Sequence, residues 1–289
     1  MSRLTATLRN YLSFIKFSHT VFALPFAVTG YFLAVSRPGY GFSLRILILV
    51  ILCMVFARNA AMAFNRYADI SFDAANPRTA SRELPSGKIS KRSALLFVIA
   101  NSVFFVISAG LINNLTLALS PVALLIILGY SFTKRFTVLC HFILGLGLSL
   151  APSGAYIAVT GHFSALPVIY SFIVLTWVSG FDIIYAIQDD SFDREANLFS
   201  LPSKRGRKKS LIISAAAHTL TVILVVAAGV AGKGGILYWT GALIFTAMLV
   251  YQHIIVTPSD TSRINLAFAT VNGVASIIYS VFVIADLLS

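Results

Sequence analysis

Charge is what this sequence has least of. Only 11% of its 289 residues are charged, whereas a soluble domain carries about a quarter. Carboxylates are scarcer still, with ten Asp and Glu against 22 Lys and Arg. So little charge cannot clothe a water-soluble core of this size. Cysteine is nearly absent as well. Cys53 and Cys140 lie in apolar stretches, spell no metal-ligand spacing and give no disulfide framework, so packing is their expected role. Polar interruption is missing over long runs: residues 96–133, 136–181, 211–232 and 264–285 contain no Asp, Glu, Lys or Arg. Each is longer than the ~18 residues that can cross a hydrocarbon core of ~30 Å.

Lipid offers backbone groups no partner, so such runs must be helices or barrel strands. Their apolar character is continuous and does not alternate, which selects helices. The expected fold is an all-α integral membrane bundle around a central cavity, one domain over residues 1–289. Nine helices are predicted, at residues 12–36, 43–68, 92–112, 115–133, 138–160, 165–189, 209–231, 235–256 and 264–287. A cleavable signal peptide is not expected, because the first apolar stretch is long and lacks a small-residue cleavage site.

The net charge of +12 is read here as topology rather than as a nucleic-acid footprint. The N-terminus and the 2–3, 4–5, 6–7 and 8–9 connections, with their flanks, hold 18 of the 22 basic residues. Basic residues collect in cytoplasmic loops, so the N-terminus is expected inside and, after nine spans, the C-terminus outside. The localisation that follows is a multi-pass membrane protein with its long loops on the cytoplasmic side. Its 2–3 and 6–7 loops are each about 20 residues long, dense in charge, and expected to be functional.

The acids are distributed less evenly than the bases. Asp69, Asp73 and Glu83 form one group, and Asp182, Asp189, Asp190, Asp193 and Glu195 another; only Asp260 and Asp286 fall elsewhere. The first motif reads N-R-Y-A-D-I-S-F-D over residues 65–73, so Asn65, Asp69 and Asp73 recur every four residues on one helical face. The second reads D-I-I-Y-A-I-Q-D-D-S-F-D over residues 182–193, placing Asp182, Tyr185, Asp189 and Asp193 along one face and Asp190 on another. Four spans separate the two motif ends, an even number, so both are expected on one side of the bilayer. Like charges at this spacing destabilise a helix, and desolvation at a membrane edge adds to the cost. A divalent cation relieves both, and Mg²⁺ is suited to carboxylate and amide oxygens completed by water and phosphate.

Cations lie close by in sequence. The 2–3 loop offers Arg78, Arg82 and Lys88, and the 4–5 turn offers Lys134 and Arg135. Arginine forks bind phosphate or carboxylate oxygens in pairs. Lys208 and Lys209 are read as topological retention signals. His141, His162, His218 and His253 lack ligand-like spacing and are read as packed or interfacial. The glycine-rich run at residues 145–154 is read as close helix packing with a proline kink.

These motifs resemble the UbiA family of intramembrane aromatic prenyltransferases, most closely its bacterial 4-hydroxybenzoate polyprenyltransferase branch. The similarity covers nearly the whole chain. It rests on K-F-S-H-T-V-F-A-L-P-F-A at residues 16–27, the two acidic motifs, R-E-L-P-S-G at 82–87 and Y-S-F-T-K-R-F-T at 130–137. The sequence departs from the branch after the second motif, where Asn197 and Phe199 replace a glycine and a histidine and Lys204-Arg205-Gly206 replaces R-F-G. The resemblance implies transfer of a polyprenyl group from polyprenyl diphosphate to a ring carbon of an aromatic acid, in ubiquinone biosynthesis. It implies Mg²⁺ at Asn65, Asp69, Asp73, Asp189 and Asp193, and diphosphate on Arg78, Arg82 and Lys134. Arg135 is the expected acceptor-orienting residue, with Asp182 and Tyr185 beside the reacting ring. The partners are thus two small-molecule substrates and the bilayer, with no nucleic acid and no obligate protein partner. Two alternatives stand: a dihydroxynaphthoate acceptor on the route to menaquinone, and, in a different class, a cation-binding transporter. Transport would favour acids near span centres rather than span ends.

Overall fold

The computed structural model describes residues 3–16 and 22–289. The chain is helical almost throughout, and no strand occurs among the described residues. The elements are α1 (Arg3–Phe14), α2 (Leu24–Val35), α3 (Leu44–Ala68), α4 (Ile70–Ala75), α5 (Lys91–Gly110), α6 (Asn114–Thr133), α7 (Cys140–Thr160), α8 (Ala165–Ala186), α9 (Asp190–Glu195), α10 (Leu201–Gly232), α11 (Ile236–Ile255) and α12 (Asn272–Leu288). A tight 3-10 turn at Ile187–Asp189 joins α8 to α9, and a π turn at Leu266–Val271 leads into α12.

Caps explain several of the starts. Ser43, Ser90 and Asn113 each turn a side-chain oxygen onto the first-turn amides of α3, α5 and α6, satisfying donors that a helix end leaves orphaned. Asp286, near the end of α12, accepts from the backbone amides of Gly235 and Tyr238 and so caps α11 from a neighbouring span.

Among the described residues eight helices are long and apolar enough to cross a membrane: α3, α5, α6, α7, α8 with its extension to Glu195, α10, α11, and the π turn with α12. The first predicted span requires correction. Residues 12–36 do not form one helix: α1 stops at Phe14, Lys16 adopts φ +46°, and α2 starts only at Leu24. At 1.5 Å per residue the 12 residues of α2 reach only ~18 Å, short of the hydrocarbon core. Of the family-like stretch at 16–27, residues 17–21 lie outside the described residues. The seventh predicted helix, at 209–231, is preceded by an extra turn: α10 runs from Leu201 but is broken at Gly206, and its spanning part follows that break. A Ser200–Ser203 capping box starts α10 early, and Gly206, at φ +75° where a side chain would be strained, lets the chain break and continue.

Large apolar side chains such as Leu125, Leu243 and Ile236 face outward, as lipid-facing residues do. Helix contacts instead use small and hydroxylated residues. A Cβ on Gly145 of α7 would meet the Leu175 carbonyl of α8 at 2.5 Å. Ser214 of α10 donates to the Gly180 carbonyl of α8 at 2.7 Å, and Thr176 and Thr221 join the same two helices at 2.8 Å. α8 is the most buried span: Tyr170, Trp177 and Phe181 fill its surroundings with Phe26, Phe245 and Tyr279. α1 lies over a second cluster, where Phe14 and Ile15 pack with Ala63, Leu84, Ile89 and Val98.

Candidate active site

The first acidic motif bends where α3 ends. Asp69 leaves helical geometry at φ −96°, ψ 15°, yet its amide still bonds to the Asn65 carbonyl at 2.9 Å and the Asp73 amide to the Asp69 carbonyl at 2.8 Å. The four-residue repeat therefore survives the break, and Asn65 donates to Asp69 Oδ2 at 3.2 Å. The second motif breaks in the same way. α8 stops at Ala186, the 3-10 turn carries Asp189, and α9 carries Asp193.

The two motifs meet at one end of the bundle. Asn76, three residues past Asp73, donates to Asp189 Oδ1 at 3.0 Å. Arg78 forks onto both oxygens of Asp189, with Nε at 2.8 Å from Oδ1 and Nη2 on Oδ2. Its remaining nitrogen reaches the Tyr185 hydroxyl at 3.3 Å. Three further acid–cation pairs complete a ring of alternating sign. Arg82 holds Asp73 at 2.7 Å, Lys134 holds Asp193 at 2.7 Å, and Arg135 holds Asp69 at 3.2 Å. Ser200 donates to the second oxygen of Asp193 at 2.7 Å. Asp190 stands apart, forked by Arg207, in keeping with its predicted separate face.

The charges feel one another. Burial pushes the Asp69 carboxyl above its ordinary value, and Arg135 only partly offsets this. Burial acts against the Lys134 ammonium, but Asp193 outweighs it and holds Lys134 above its usual range. Arg78 is likewise driven up by Asp189, against the effect of burial.

Tyr185 is fixed on its other side by Phe268 from the π turn, ring centroids 4.0 Å apart and 29° from parallel. Asp182, two turns deeper on α8, receives His141 Nδ1 at 2.7 Å. Arg135 belongs with the first motif: besides Asp69 it bonds the Ala68 carbonyl at 2.7 Å and lies over the Phe72 and Phe132 rings. Like Asp182 and Tyr185, it is not among the residues that line the cavity below.

That cavity, of about 300 Å³, lies between α2, α3, α6 and α7. Its wall is apolar except for a few groups, among them Arg58 and Tyr130. Arg58 precedes Asn65 by seven residues and Asp69 by eleven, so it points from the same face of α3, deeper in the bilayer. Its Nε is buried and has no hydrogen-bond partner among the described residues. Tyr130 of the wall stands one helical turn before Lys134, which holds Asp193, so α6 links the cavity to the second motif.

Sequence reading passed over Asn76, Arg58, Tyr130, His141 and Phe268. For Arg58 a signal existed. A lone arginine inside an apolar span is costly and is by default functional. Asn76 and His141 carry no comparable pattern, because their partners lie 113 and 41 residues away.

The donors suit a hard cation. Asp73 Oδ2 is buried and unpartnered among the described residues, and Asn65, Asp69, Asp73, Asp189 and Asp193 all present oxygen. Among the described residues no three His, Cys, Asp or Glu groups converge closely enough to hold an ion unaided. That pattern fits Mg²⁺, which takes one or two carboxylates and fills its shell with water and phosphate.

Fold and site together define a polytopic membrane protein with paired charges at the ends of two spans and an apolar cavity among its helices. The profile of the UbiA prenyltransferase family matches residues 23–275, and the chain belongs to that family. Among curated relatives, the 4-hydroxybenzoate octaprenyltransferase of Aliivibrio fischeri is 31% identical over 81% of this chain and 82% of that protein. That of Photobacterium profundum is 30% identical over 82% of each. The apo structure of a UbiA homolog from Aeropyrum pernix K1 matches with a TM-score of 0.80 at 33% identity, covering 93% of this chain and 97% of that one. A UbiA homolog from Archaeoglobus fulgidus bound to GPP and Mg²⁺ shares the fold, with a TM-score of 0.75 at 22% identity over 97% and 100% of the two chains.

Proposed function

We propose that the protein transfers a polyprenyl group from its diphosphate to a ring carbon of an aromatic acid, with 4-hydroxybenzoate the foremost acceptor, in quinone biosynthesis. One observation carries this reading: four acid–cation pairs are built on the two acidic motifs, and the same bundle holds an apolar cavity whose wall carries a buried, unpartnered arginine nitrogen. The pairs are suited to a diphosphate and the cavity to an apolar chain and an aromatic acid.

In the ligand-free protein Arg78, Arg82 and Lys134 each neutralise a carboxylate. On substrate entry they turn to phosphate oxygens and free Asp189, Asp73 and Asp193 as oxygen donors, with Asn65 and Asp69 beside them. These donors would hold Mg²⁺, which when bound would supply positive charge to the departing diphosphate. Arg78 and Lys134 share that task, since the C1–O bond breaks with its electron pair on the diphosphate. The Tyr185 face stands beside this point and stabilises the allylic cation, while the apolar walls exclude water that would otherwise capture it.

The acceptor carboxylate we assign to Arg58 in place of Arg135. A guanidinium in an apolar wall recovers its desolvation cost only when an anion reaches it. A dihydroxynaphthoate presents the same carboxylate, so both acceptors belong in the assay. By the distribution of basic residues the ring faces the cytoplasm, in a bacterial inner membrane.

The test is transfer of a labelled polyprenyl diphosphate to 4-hydroxybenzoate or a dihydroxynaphthoate in membranes holding the protein, with Mg²⁺ or a chelator. Mg²⁺-dependent product is expected, lost in Asp69→Ala and in Asp189→Ala although both variants still insert. Near-normal turnover in both variants defeats the metal assignment. No product with any phenolic or naphthoic acceptor, together with ion flux across vesicles, makes the protein a transporter.

A further inference from the structure

We infer that His141 and Asp182 form a proton-accepting pair for the acceptor ring, His141 acting as the positioning residue and Asp182 as the base. The inference rests on the proposed transfer and extends it to a step that reading leaves open. When the prenyl C1 bonds to a ring carbon through a π pair of the ring, that carbon becomes tetrahedral and still carries its hydrogen. The ring recovers aromaticity only when a base takes this proton and the C–H pair returns to the ring.

Asp182 is placed for that role. It lies on the face of α8 that carries Tyr185 and Asp189, seven residues or ~10 Å along the axis below Asp189. Its side chain is 21% exposed. One oxygen, Oδ2, is occupied by His141. The other has no hydrogen-bond donor among the described residues and is absent from the sealed, unpartnered atoms.

The tautomer of His141 follows from its second contact. The Leu201 amide, one of the orphan donors at the start of α10, points at His141 Nε2 at 3.3 Å. An amide can only donate, so Nε2 accepts and the ring proton sits on Nδ1, facing Asp182. The Nδ1–H bond holds Oδ2, so Oδ1 is the atom presented for the proton. His141 is itself 2% exposed and touches no substrate space, which is why its effect must pass through Asp182. A purely structural role, capping α10 and burying Asp182, would use the same contacts and is separable by experiment.

The experiment compares wild type with Asp182→Asn, His141→Asn and His141→Leu. The acceptor carries hydrogen or deuterium at the attacked ring position, and melting temperatures are recorded alongside. Loss of a general base costs about 10²–10⁴-fold in kcat, and this is expected of Asp182→Asn with the KM for prenyl diphosphate unchanged. His141→Leu is expected to lose about 10- to 100-fold, as loss of one charge-assisted hydrogen bond gives. In both variants the isotope effect rises clearly above the wild-type ratio, because proton removal has become slow. His141→Asn keeps a donor near the Nδ1 position and recovers most of the rate, although it cannot accept from Leu201 and melts lower. An isotope ratio unchanged in all three variants overturns the pair, as does a rate that tracks only melting temperature. If wild type transfers no prenyl group to any acceptor, the proposed function falls and takes the pair with it. Wild-type transfer with silent variants removes the pair alone.

Discussion

Replacing Arg58 by methionine separates acceptor recognition from diphosphate binding. Arg58 lines the cavity with a sealed Nε that pairs with nothing among the described residues, so the ligand-free protein bears the cost of a partly desolvated cation. Hydrogen bonds to a charged group are worth about 1.5–3 kcal/mol each, and loss of one partner of a buried charge pair costs about 2–5 kcal/mol. A loss of about 2–4 kcal/mol corresponds to a fall of about 30- to 1,000-fold in kcat/KM for the acceptor, at 1.4 kcal/mol per tenfold. The KM for prenyl diphosphate should stay constant, since the cations facing that end are Arg78, Arg82 and Lys134. A neutral analogue, 4-hydroxybenzamide, should be used equally well by both proteins, so the preference for acid over amide disappears in the variant. Without ligand the variant should melt at the same temperature as wild type or above it, because an uncompensated cation has been replaced by an apolar chain of similar length. Steady-state kinetics with both acceptors and thermal unfolding in detergent supply the numbers. An intact acid preference in Arg58→Met, with a lower melting temperature, refutes the reasoning and makes Arg58 a structural residue.

Calorimetry with Mg²⁺ and inorganic diphosphate should show each binding weakly alone and more tightly in the presence of the other, because carboxylates and cations now satisfy one another; independent affinities would contradict exchange of partners. Glu83→Gln should lower stability by about 3 kcal/mol or more, since Arg66, only 3% exposed, loses the carboxylate that holds it. The same residue gives a pH signature. Burial pushes Glu83 up, but the Ser13 hydroxyl, its own backbone and Arg66 outweigh this and hold it below its ordinary 4.5. Its contribution is thus present above about pH 4.5 and lost as the pH falls through the lowered value; melting temperatures should drop there in wild type and not, from this source, in Glu83→Gln. Phe268→Ala should raise the KM for prenyl diphosphate by freeing the Tyr185 ring that Phe268 stacks upon and that Arg78 contacts; an unchanged KM would leave the π turn a packing feature.

The sequence by itself determined the parts governed by local periodicity and by the solvent. Charge-free runs must be helices because lipid leaves a backbone no other partner, and the eight long spans follow. The four-residue spacing of Asn65, Asp69 and Asp73 fixes a shared face whatever the rest of the chain does. It holds even though α3 breaks at Asp69, because the backbone bonds at 2.9 and 2.8 Å carry the register through. The first span was misjudged for the converse reason. Composition reports that a stretch is apolar, not that its helix is continuous: α1 stops at Phe14, Lys16 takes φ +46°, and α2 starts at Leu24. What the tertiary structure alone decided is which charge meets which. Arg78 and Arg135 look alike in sequence, yet one forks onto both oxygens of Asp189 and the other makes a single contact with Asp69. The same packing places Arg58 in the cavity wall and sets His141 against Asp182. Such pairings depend on how distant helices pack, and no spacing along a single helix encodes that.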